Sequence, residues 1–232
     1  MNKRSYAAVM FILAVVAWPV GCTCGNDGAG GEPPGNAPSS ETVDLQTVEE
    51  GGPPIFDVMA ARRSVRSFAD TPLTEDELAR LLWAGQGITD PVRGYKAVPS
   101  AGALYPITLY LCDASGVGRY EPETETLAVI SESDLRDELE TAAMGQSAVG
   151  DAPAVVVIVA KPAVTAAKYG GRAERYCTLE AGHVAQNILL AAFALGLSGV
   201  TIGAFDDDSV RSLLDLDEEY LPLYIIPLGH PE

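Results

Sequence analysis

The sequence predicts an α+β domain in which a mixed, mainly antiparallel sheet lies between layers of helices. Two observations favour this class over a doubly wound parallel sheet: strands and helices alternate irregularly, and two strands form a hairpin around Pro122. A third observation places the core, since Ala154 to Ala160 is a β-branched run typical of a strand buried on both faces. With 232 residues, 47% of them hydrophobic, the chain can bury one substantial core.

The first half of the domain begins with two predicted helices. Apolar residues recur at helical spacing from Ile55 to Ala61, which places an arginine-rich stretch at the end of that helix. Thr74 and Glu77 have the spacing of a capping box, so a second amphipathic helix is expected over 75–86. The elements predicted next are a loop over 94–106, strands over 107–112, 117–121 and 126–130, and a helix over 132–143.

The second half is built around the longest predicted helix, from about Arg172 to Leu195. One side of this helix is apolar, and another carries a polar stripe, defined as Tyr176, Glu180, His183 and Asn187. The stripe is compatible with a satisfied buried network, a subunit contact or part of a ligand site. A di-iron site is excluded because the chain has no second Glu-x-x-His pair. The remaining predicted elements are a strand over 199–205, a helix from Asp206 to about Leu214, and a strand over 221–228.

The N-terminal segment predicts export. Lys3 and Arg4 precede an apolar run, and residues 1–21 read as a lipoprotein-type signal peptide that ends just before Cys22, the expected lipidation site. A simple secretory signal or an uncleaved anchor are the alternatives. Residues 22–54 are rich in Gly, Pro, Ser and acids and are expected to be a flexible tether, which leaves 55–232 as the folded domain. The domain would then contact the cell envelope only through its lipid.

Charge and motifs exclude several functions. A formal net charge of −17 argues against a broad nucleic-acid surface. The chain lacks a GxSxG elbow, a P-loop and a GxGxxG turn after a strand, which argues against serine hydrolases and nucleotide triphosphatases. No metal-binding cysteine spacing occurs either. Cys112 and Cys177 could form a disulfide, or each could be an ordinary buried thiol.

Basic residues concentrate in one short stretch of this acidic chain. Arg62, Arg63 and Arg66 offer guanidinium groups that suit phosphate, and Ser64 adds a hydroxyl donor. A solvated basic turn is the alternative. Small residues over 99–106 would let a flat ligand approach the backbone, so the two stretches together favour a flat, phosphorylated cofactor.

The order of several motifs resembles that of the nitroreductase superfamily, and most closely its SagB/ThcOx-type FMN-dependent dehydrogenases. The motifs are Arg62-Arg-Ser-x-Arg-x-Phe68, Pro72-Leu-Thr74, Leu82-Trp-Ala-Gly-Gln-Gly87, Pro99-Ser-Ala-Gly-Ala-Leu-Tyr-Pro106, Glu180-Ala-Gly-His-x-Ala-Gln-Asn187 and Ile202-Gly-Ala-Phe205. The resemblance covers the chain from about Ile55 onward. It implies a three-layer α-β-α sandwich, a homodimer, and FMN at the subunit interface.

The resemblance also implies roles for individual residues. Arg62, Arg63, Ser64 and Arg66 would bind the FMN phosphate and ribityl chain. The isoalloxazine would be lined by Ser100, Ala101, Gly102 and Leu104, and its N5 edge would meet the backbone of Gly203 and Ala204. Lys168 and Tyr169 resemble a catalytic Lys-Tyr pair of azoline dehydrogenases, although a surface lysine before a Gly-Gly turn is equally compatible. As a base, Lys168 would need burial or a neighbouring cation.

The resulting prediction is an FMN-dependent oxidoreductase that transfers hydride through flavin N5 to or from an organic molecule. A peptide azoline, a quinone and a nitroaromatic all remain open as substrates. The alternative is a non-catalytic lipoprotein of the same fold that sequesters flavin or binds a partner. NAD(P)H is the usual donor, but export would place the domain where it is scarce, so a quinol or a partner protein could replace it. The chain also ends soon after Gly229-His230, where such proteins commonly add basic phosphate ligands.

Overall fold

The computed structural model describes residues 42–44 and 52–232 of the chain. The predicted signal peptide, Cys22 and most of the predicted tether lie outside the described residues. Within the described part, none of the helices is long and apolar enough to cross a membrane.

A seven-stranded sheet forms the centre of the domain, in the order β1-β6-β5-β4-β7-β9-β8. Every pairing between neighbouring strands is antiparallel. The central strand β7 is buried at every position, as its unbroken apolar run predicts. The strands are β1 (Thr42–Asp44), β4 (Ile107–Asp113), β5 (Gly116–Glu121), β6 (Thr126–Ser131), β7 (Ala154–Ala160), β8 (Ser198–Gly199) and β9 (Leu221–Gly229); β2 (Ile88–Asp90) and β3 (Tyr95–Lys96) form a separate small hairpin.

Helices cover both faces of the large sheet, which gives the predicted α+β sandwich of three layers. One core cluster contains residues of α2, α6 and the facing side chains of the sheet, and the other contains residues of α3, α4 and α7. The helices are α1 (Ile55–Ala61), α2 (Glu75–Gln86), α3 (Arg136–Ala142), α4 (Ser147–Gly150), α5 (Pro162–Tyr169), α6 (Ala173–Ala194) and α7 (Asp207–Leu213). The 22-residue helix α6 packs on α2 and is the longest element of the described chain.

The capping box predicted at the start of α2 is present. The Thr74 hydroxyl accepts a hydrogen bond from the Glu77 amide, and the Glu77 carboxylate accepts one of 2.7 Å from the Thr74 amide. Each bond satisfies a backbone N–H that the first helical turn leaves unpaired. The polar residues Thr74 and Glu77 therefore fix where α2 begins.

Three boundaries differ from the sequence prediction. The sheet already begins at β1, whose residues lie within the predicted tether. The predicted helix over 132–143 begins only at Arg136, because the side chains of Ser131 and Asp134 accept hydrogen bonds from the amides of Ser133 and Arg136 and compete with helix formation. The predicted strand over 199–205 is limited to β8 and an isolated bridge between Ile202 and Ile225.

Helix α5 was not predicted at all, although Pro162 at its first position is a common start signal. It matters for the site because Lys168 and Tyr169 are its last two residues. The helix ends at Gly170, which has a φ of 54°. A short 3₁₀ turn over Gly170–Arg172 then leads into α6.

The two body cysteines, Cys112 and Cys177, are both free and buried. They belong to different core clusters. Cys112 is in the cluster that contains residues of α3 and α7, and Cys177 of α6 is in the other cluster. The sheet therefore separates the two thiols, and the ordinary buried-thiol interpretation is the one that the structure supports. Burial also raises the pKa of the Cys112 thiol, which makes its reactive thiolate scarce.

Candidate functional site

The arginine segment, defined as Arg62–Arg66, follows α1 directly and is attached to the edge of the sheet. Ser64 forms a parallel bridge with Gly199, and the Val65 amide donates a 3.2 Å hydrogen bond to the Gly199 carbonyl. The Arg63 guanidinium donates to the carbonyls of Ala60 and Arg62 at 2.9 and 2.8 Å. Arg63 thus satisfies backbone carbonyls at the end of its own helix, which leaves Arg62 and Arg66 as the uncommitted guanidinium groups.

The basic side chains of the described chain divide into two sets. One set is paired with carboxylates and consists of Arg80, Arg93, Arg119, Arg136, Lys161 and Arg211. The other set has no carboxylate partner among the described residues and consists of Arg62, Arg63, Arg66, Lys96, Lys168, Arg172 and Arg175. In an acidic protein a cation without a nearby carboxylate is available to an external anion, and most members of this second set lie in the arginine segment or near Lys168.

The small-residue loop, defined as Pro99–Pro106, has an unusual backbone. Gly102, Ala103 and Tyr105 have φ values of 66°, 54° and 49°. For Ala103 and Tyr105 this left-handed conformation costs on the order of 1–2 kcal/mol each. Surrounding structure must therefore hold the loop in place.

The polar stripe of α6 supplies these supporting contacts. Glu180 Oε2 accepts a 2.5 Å hydrogen bond from the Ser100 hydroxyl, which in turn accepts one of 2.9 Å from the Tyr105 amide. His183 Nδ1 lies 3.2 Å from the Pro99 carbonyl oxygen. The Asn187 side-chain amide donates to the carbonyls of Ala84 and Ala97 at 3.1 and 3.3 Å. The stripe therefore fastens the loop and the segment before it, but only Glu180 is buried, whereas Tyr176 and Asn187 are half-buried and His183 is exposed.

Glu180 is the most electrostatically perturbed group of this network. Its side chain is only 2% exposed, and its Oε1 has no hydrogen-bond partner among the described residues. Burial raises the pKa of Glu180 from its ordinary value to about 7, against the opposing effects of the Ser100 hydrogen bond and the Lys96 charge. Burial also lowers the pKa of Lys96. Near neutral pH the loop is therefore fastened by a carboxyl group that can change its charge.

Lys168 and Tyr169 lie against the small-residue loop. A Cβ atom placed on Gly102 would come within 2.8 Å of both Lys168 Nζ and the Tyr169 hydroxyl. Tyr169 also packs edge-on against Tyr176 of the polar stripe, with ring centroids 4.9 Å apart. The predicted Lys-Tyr pair thus has its two polar ends at the most exposed turn of the loop, and Lys168 itself is exposed to solvent.

Gly203 and Ala204 leave the sheet just after the bridge at Ile202, and both are exposed. Gln146 Nε2 donates a 3.0 Å hydrogen bond to the Ala204 carbonyl and fixes this turn. A Cβ atom on Gly203 would meet only the Tyr224 ring, at an ordinary contact distance of 3.6 Å. Among the residues that the structure describes, none therefore requires a glycine at position 203.

Comparison with known proteins identifies the family. The sequence profile of the Nitroreductase family matches residues 59–230. The chain belongs to the nitroreductase family. It is 40% identical over 195 residues to "Putative nitroreductase MJ1384" of Methanocaldococcus jannaschii, covering 82% of this chain and 97% of that protein. It is also 27% identical over 150 residues to the microcin B17-processing protein McbC of Escherichia coli, covering 59% of this chain and 54% of McbC.

Solved structures agree with this family. A nitroreductase-like protein from Ralstonia eutropha superimposes with a TM-score of 0.76 and 27% identity, covering 84% of this chain and 92% of that one. The NADPH:FMN oxidoreductase of Vibrio harveyi, solved with NAD⁺, gives a TM-score of 0.59 at 25% identity, covering 77% and 69% of the two chains. The predicted family and the fold class are confirmed, and with them a general oxidoreductase function.

Within this nitroreductase fold, the predicted site residues form two groups along α6. Gly199, which is bridged to the arginine segment, lies against Leu189, and the small-residue loop is hydrogen-bonded to Glu180. These two positions of α6 are about 14 Å apart along the helix axis. Gly203 and Ala204 follow Gly199 and belong to the first group, whereas Lys168 and Tyr169 belong to the second. Ala101 and Leu104 are half-buried within the loop.

Several residues that support the site were not among the predicted site residues. Glu180, His183 and Asn187 were recognised as a stripe, but their partners could not be read from the sequence. Gln146 gave no signal, because it reaches Ala204 from a distant part of the chain. Lys96 lies just before the small-residue loop, but its bond to Gln86 could not be read from the sequence. Within the described part of the chain, no group of three or more His, Cys, Asp or Glu side chains is placed to hold a metal ion.

Proposed function

We propose that this nitroreductase-family protein is an FMN-dependent oxidoreductase that exchanges hydride with an organic molecule. The observation that carries the proposal is the distribution of unpaired cations. In a chain with a formal net charge of −17, the guanidinium groups of Arg62 and Arg66 have no ion-pair partner among the described residues. They are positioned on a segment whose backbone is fixed to the sheet through Ser64. Such a segment suits the phosphate of a mononucleotide.

The remaining predicted residues fit the flat part of the same cofactor. FMN, when bound, supplies hydride exchange at its N5 atom. The exposed backbone of Gly203 and Ala204 would contact the N5 edge, and a glycine that its own chain does not require is explained by the close approach of a ring. The small-residue loop, with Ser100, Ala101, Gly102 and Leu104, would form the opposite wall. Because the Ser100 hydroxyl is already used by Glu180 and Tyr105, the loop would contact the ring mainly through its backbone.

The family resemblance is the basis for proposing a homodimer. We infer that the arginine segment of one subunit and the small-residue loop of its partner meet at a shared site, as the family resemblance implies. Size-exclusion chromatography with light scattering tests this, and a monomer that still retains flavin would contradict it. A monomeric site would need both groups to reach one ligand within a single chain.

Lys168 and Tyr169 are the proposed catalytic pair. Their polar ends lie at the Gly102 turn, where Lys168 Nζ and the Tyr169 hydroxyl could take up or return the proton that accompanies hydride exchange. Lys168 is exposed in the single chain, so the burial that a lysine base needs would come from the substrate or the second subunit. The 27% identity to a microcin-processing protein keeps a peptide azoline among the candidate substrates, beside quinones and nitroaromatics.

The donor and the location are proposed from chemistry and sequence alone. NAD(P)H is one candidate donor, and the relative from Vibrio harveyi was solved with NAD⁺. If residues 1–21 direct export and Cys22 is lipidated, a membrane quinol or a partner protein would replace NAD(P)H as the electron donor. Metabolic labelling with a fatty acid, compared between the wild type and Cys22→Ala, tests the lipid anchor. Loss of label only in the variant is the expected result.

The absorbance spectrum of the purified protein tests the function as a whole. A yellow flavin chromophore that a reductant bleaches and an added quinone or nitroaromatic restores is the expected result. Bound flavin that no acceptor reoxidises would instead indicate a flavin-sequestering module. Colourless protein that also fails to take up added FMN would contradict the proposal altogether.

A further inference from the structure

A cavity of about 280 Å³ lies at the end of strands β4 and β5, apart from every predicted cofactor-binding residue. It is lined by tyrosine rings and by the polar side chains of Gln86, Lys96 and Arg119. Its volume is close to the lower end of the roughly 300–1,000 Å³ typical of small-molecule sites. A ligand here would therefore have about the size of an amino acid or a substituted benzene.

Gln86 indicates what kind of atom the cavity lacks. Its side chain is 2% exposed, and its Oε1 accepts a 3.0 Å hydrogen bond from Lys96 Nζ. That bond fixes the orientation of the amide, because the reversed amide would present a donor to the ammonium group. Gln86 Nε2 then has no acceptor among the described residues. Buried donors in proteins are nearly always paired, so this position calls for an acceptor oxygen.

Two further donors surround the same space. Lys96 has no carboxylate partner among the described residues, and its Nζ lies 5.4 Å from the centre of the Tyr105 ring. The Tyr105 hydroxyl accepts a 3.1 Å hydrogen bond from the Lys96 amide, which leaves its own proton free to donate. An amide N–H, an ammonium group and a phenol together suit the two oxygens of a carboxylate.

The rim of the cavity carries carboxylate groups. Glu121 is paired with Arg119 at 2.7 Å, so its charge is balanced. Glu123 is exposed, also lines the cavity, and forms no ion pair within the described residues. The charge of Glu123 acts on Lys96 more strongly than that of any other described carboxylate. A ligand whose carboxylate binds Lys96 would therefore have Glu123 nearby. A cationic group at the other end of the ligand would complement Glu123.

We propose that this cavity binds a small amino-carboxylate, with its carboxylate at Gln86 and Lys96 and its ammonium group toward Glu123. The proposal does not depend on the flavin chemistry proposed above. It assigns the enzyme a second small-molecule site, which adjoins the small-residue loop because Tyr105, near the end of that loop, bonds to Lys96 just before it.

A matched series of probes tests this site by isothermal titration calorimetry on the full chain. The probes are 4-(aminomethyl)benzoate, benzoate and benzylamine, which share one ring and differ only in their charged groups. We expect affinity to fall in that order. Equal or tighter binding of benzylamine, or no binding of any probe at millimolar concentration, would overturn the proposal.

Variants locate the binding. Lys96→Met should weaken benzoate about tenfold or more, since a charged hydrogen bond is lost. Glu123→Gln should reduce the affinity for 4-(aminomethyl)benzoate to that for benzoate. Gln86→Leu tests whether the buried amide contributes to binding. If that variant does not fold, the variants at Lys96 and Glu123 still decide the test. Binding that survives Lys96→Met but disappears in an Arg62→Ala, Arg66→Ala variant would place the probe at the flavin segment and refute the assignment.

Discussion

The arginine segment and the small-residue loop would contact the same cofactor, yet they are built in opposite ways. The arginine segment presents long side chains on a backbone that is fixed to the edge of the sheet at Ser64. The small-residue loop presents backbone, with Gly102, Ala103 and Tyr105 in the left-handed region. Long charged side chains can be exposed to solvent at little cost in folding free energy. A strained backbone, in contrast, must be held by contacts with the folded core. The comparison leads us to expect that substitutions in the arginine segment change ligand binding without unfolding the protein, whereas the conformation of the loop depends on the core.

The largest expected effect separates binding from stability at the arginine segment. Replacing Arg62 and Arg66 with alanine should weaken FMN binding about hundredfold or more, because two charged hydrogen-bonding groups are lost. The melting temperature of the flavin-free protein should be unchanged, since neither guanidinium group bonds to the described chain. Fluorescence titration with FMN measures the affinity. Arg93→Ala is the matched control, because that arginine is exposed and already paired with Asp90. Unchanged flavin affinity in the double variant would contradict the proposed role of the arginine segment in FMN binding.

At the small-residue loop, the next effect concerns stability and its dependence on pH. The pKa of Glu180 is raised to about 7 in the folded protein, so folding favours its protonated form. This contribution is fully present below about pH 4.5 and is lost as the pH rises through about 7. The wild type should lose up to about 3 kcal/mol of unfolding free energy across that window relative to Glu180→Gln, which cannot titrate.

Urea unfolding of both proteins between pH 5 and 8 measures this difference. Glu174→Gln provides the control, since that residue is exposed on the first turn of the same helix. Parallel pH profiles for the wild type and Glu180→Gln would show that the carboxyl group does not titrate in this window. The loop would then be fastened by hydrogen bonds alone.

The two regions also differ in how far the sequence could predict them. The start of α2 depends on neighbouring residues, so its motif was sufficient, as the Thr74–Glu77 capping box illustrates. The arginine segment was recognisable by composition, but its attachment to Gly199 far along the chain was not. The left-handed backbone of Ala103 and Tyr105 opposes their local preference and exists because α6 holds the loop from far along the chain. The same applies to Lys96 and Gln86, whose cavity is assembled from several elements. Local signals therefore identified the family and predicted its cofactor segments, but not the supporting network.

The smallest expected effect isolates the contact between the loop and the Lys168–Tyr169 pair. Gly102 and Gly94 have nearly the same backbone, with φ values of 66° and 67°. Alanine at either position should therefore cost a similar amount, about 1 kcal/mol of unfolding free energy. At Gly102 the added methyl group would meet Lys168 Nζ and the Tyr169 hydroxyl, whereas no described residue lies within 4 Å of a methyl group at Gly94.

Lys168 is exposed, so its ammonium group can move aside, whereas the Tyr169 hydroxyl belongs to a half-buried ring that packs on Tyr176. Gly102→Ala should therefore lower the turnover of a quinone or nitroaromatic acceptor severalfold and be no more stable than Gly94→Ala, which should leave turnover unchanged. Steady-state rates per bound flavin measure the difference. If the two variants turned over equally, the position of Lys168 and Tyr169 against the loop would be irrelevant to the chemistry. The surface-lysine interpretation of Lys168 would then be preferred, because a displaced base cannot leave the rate of proton transfer unaffected.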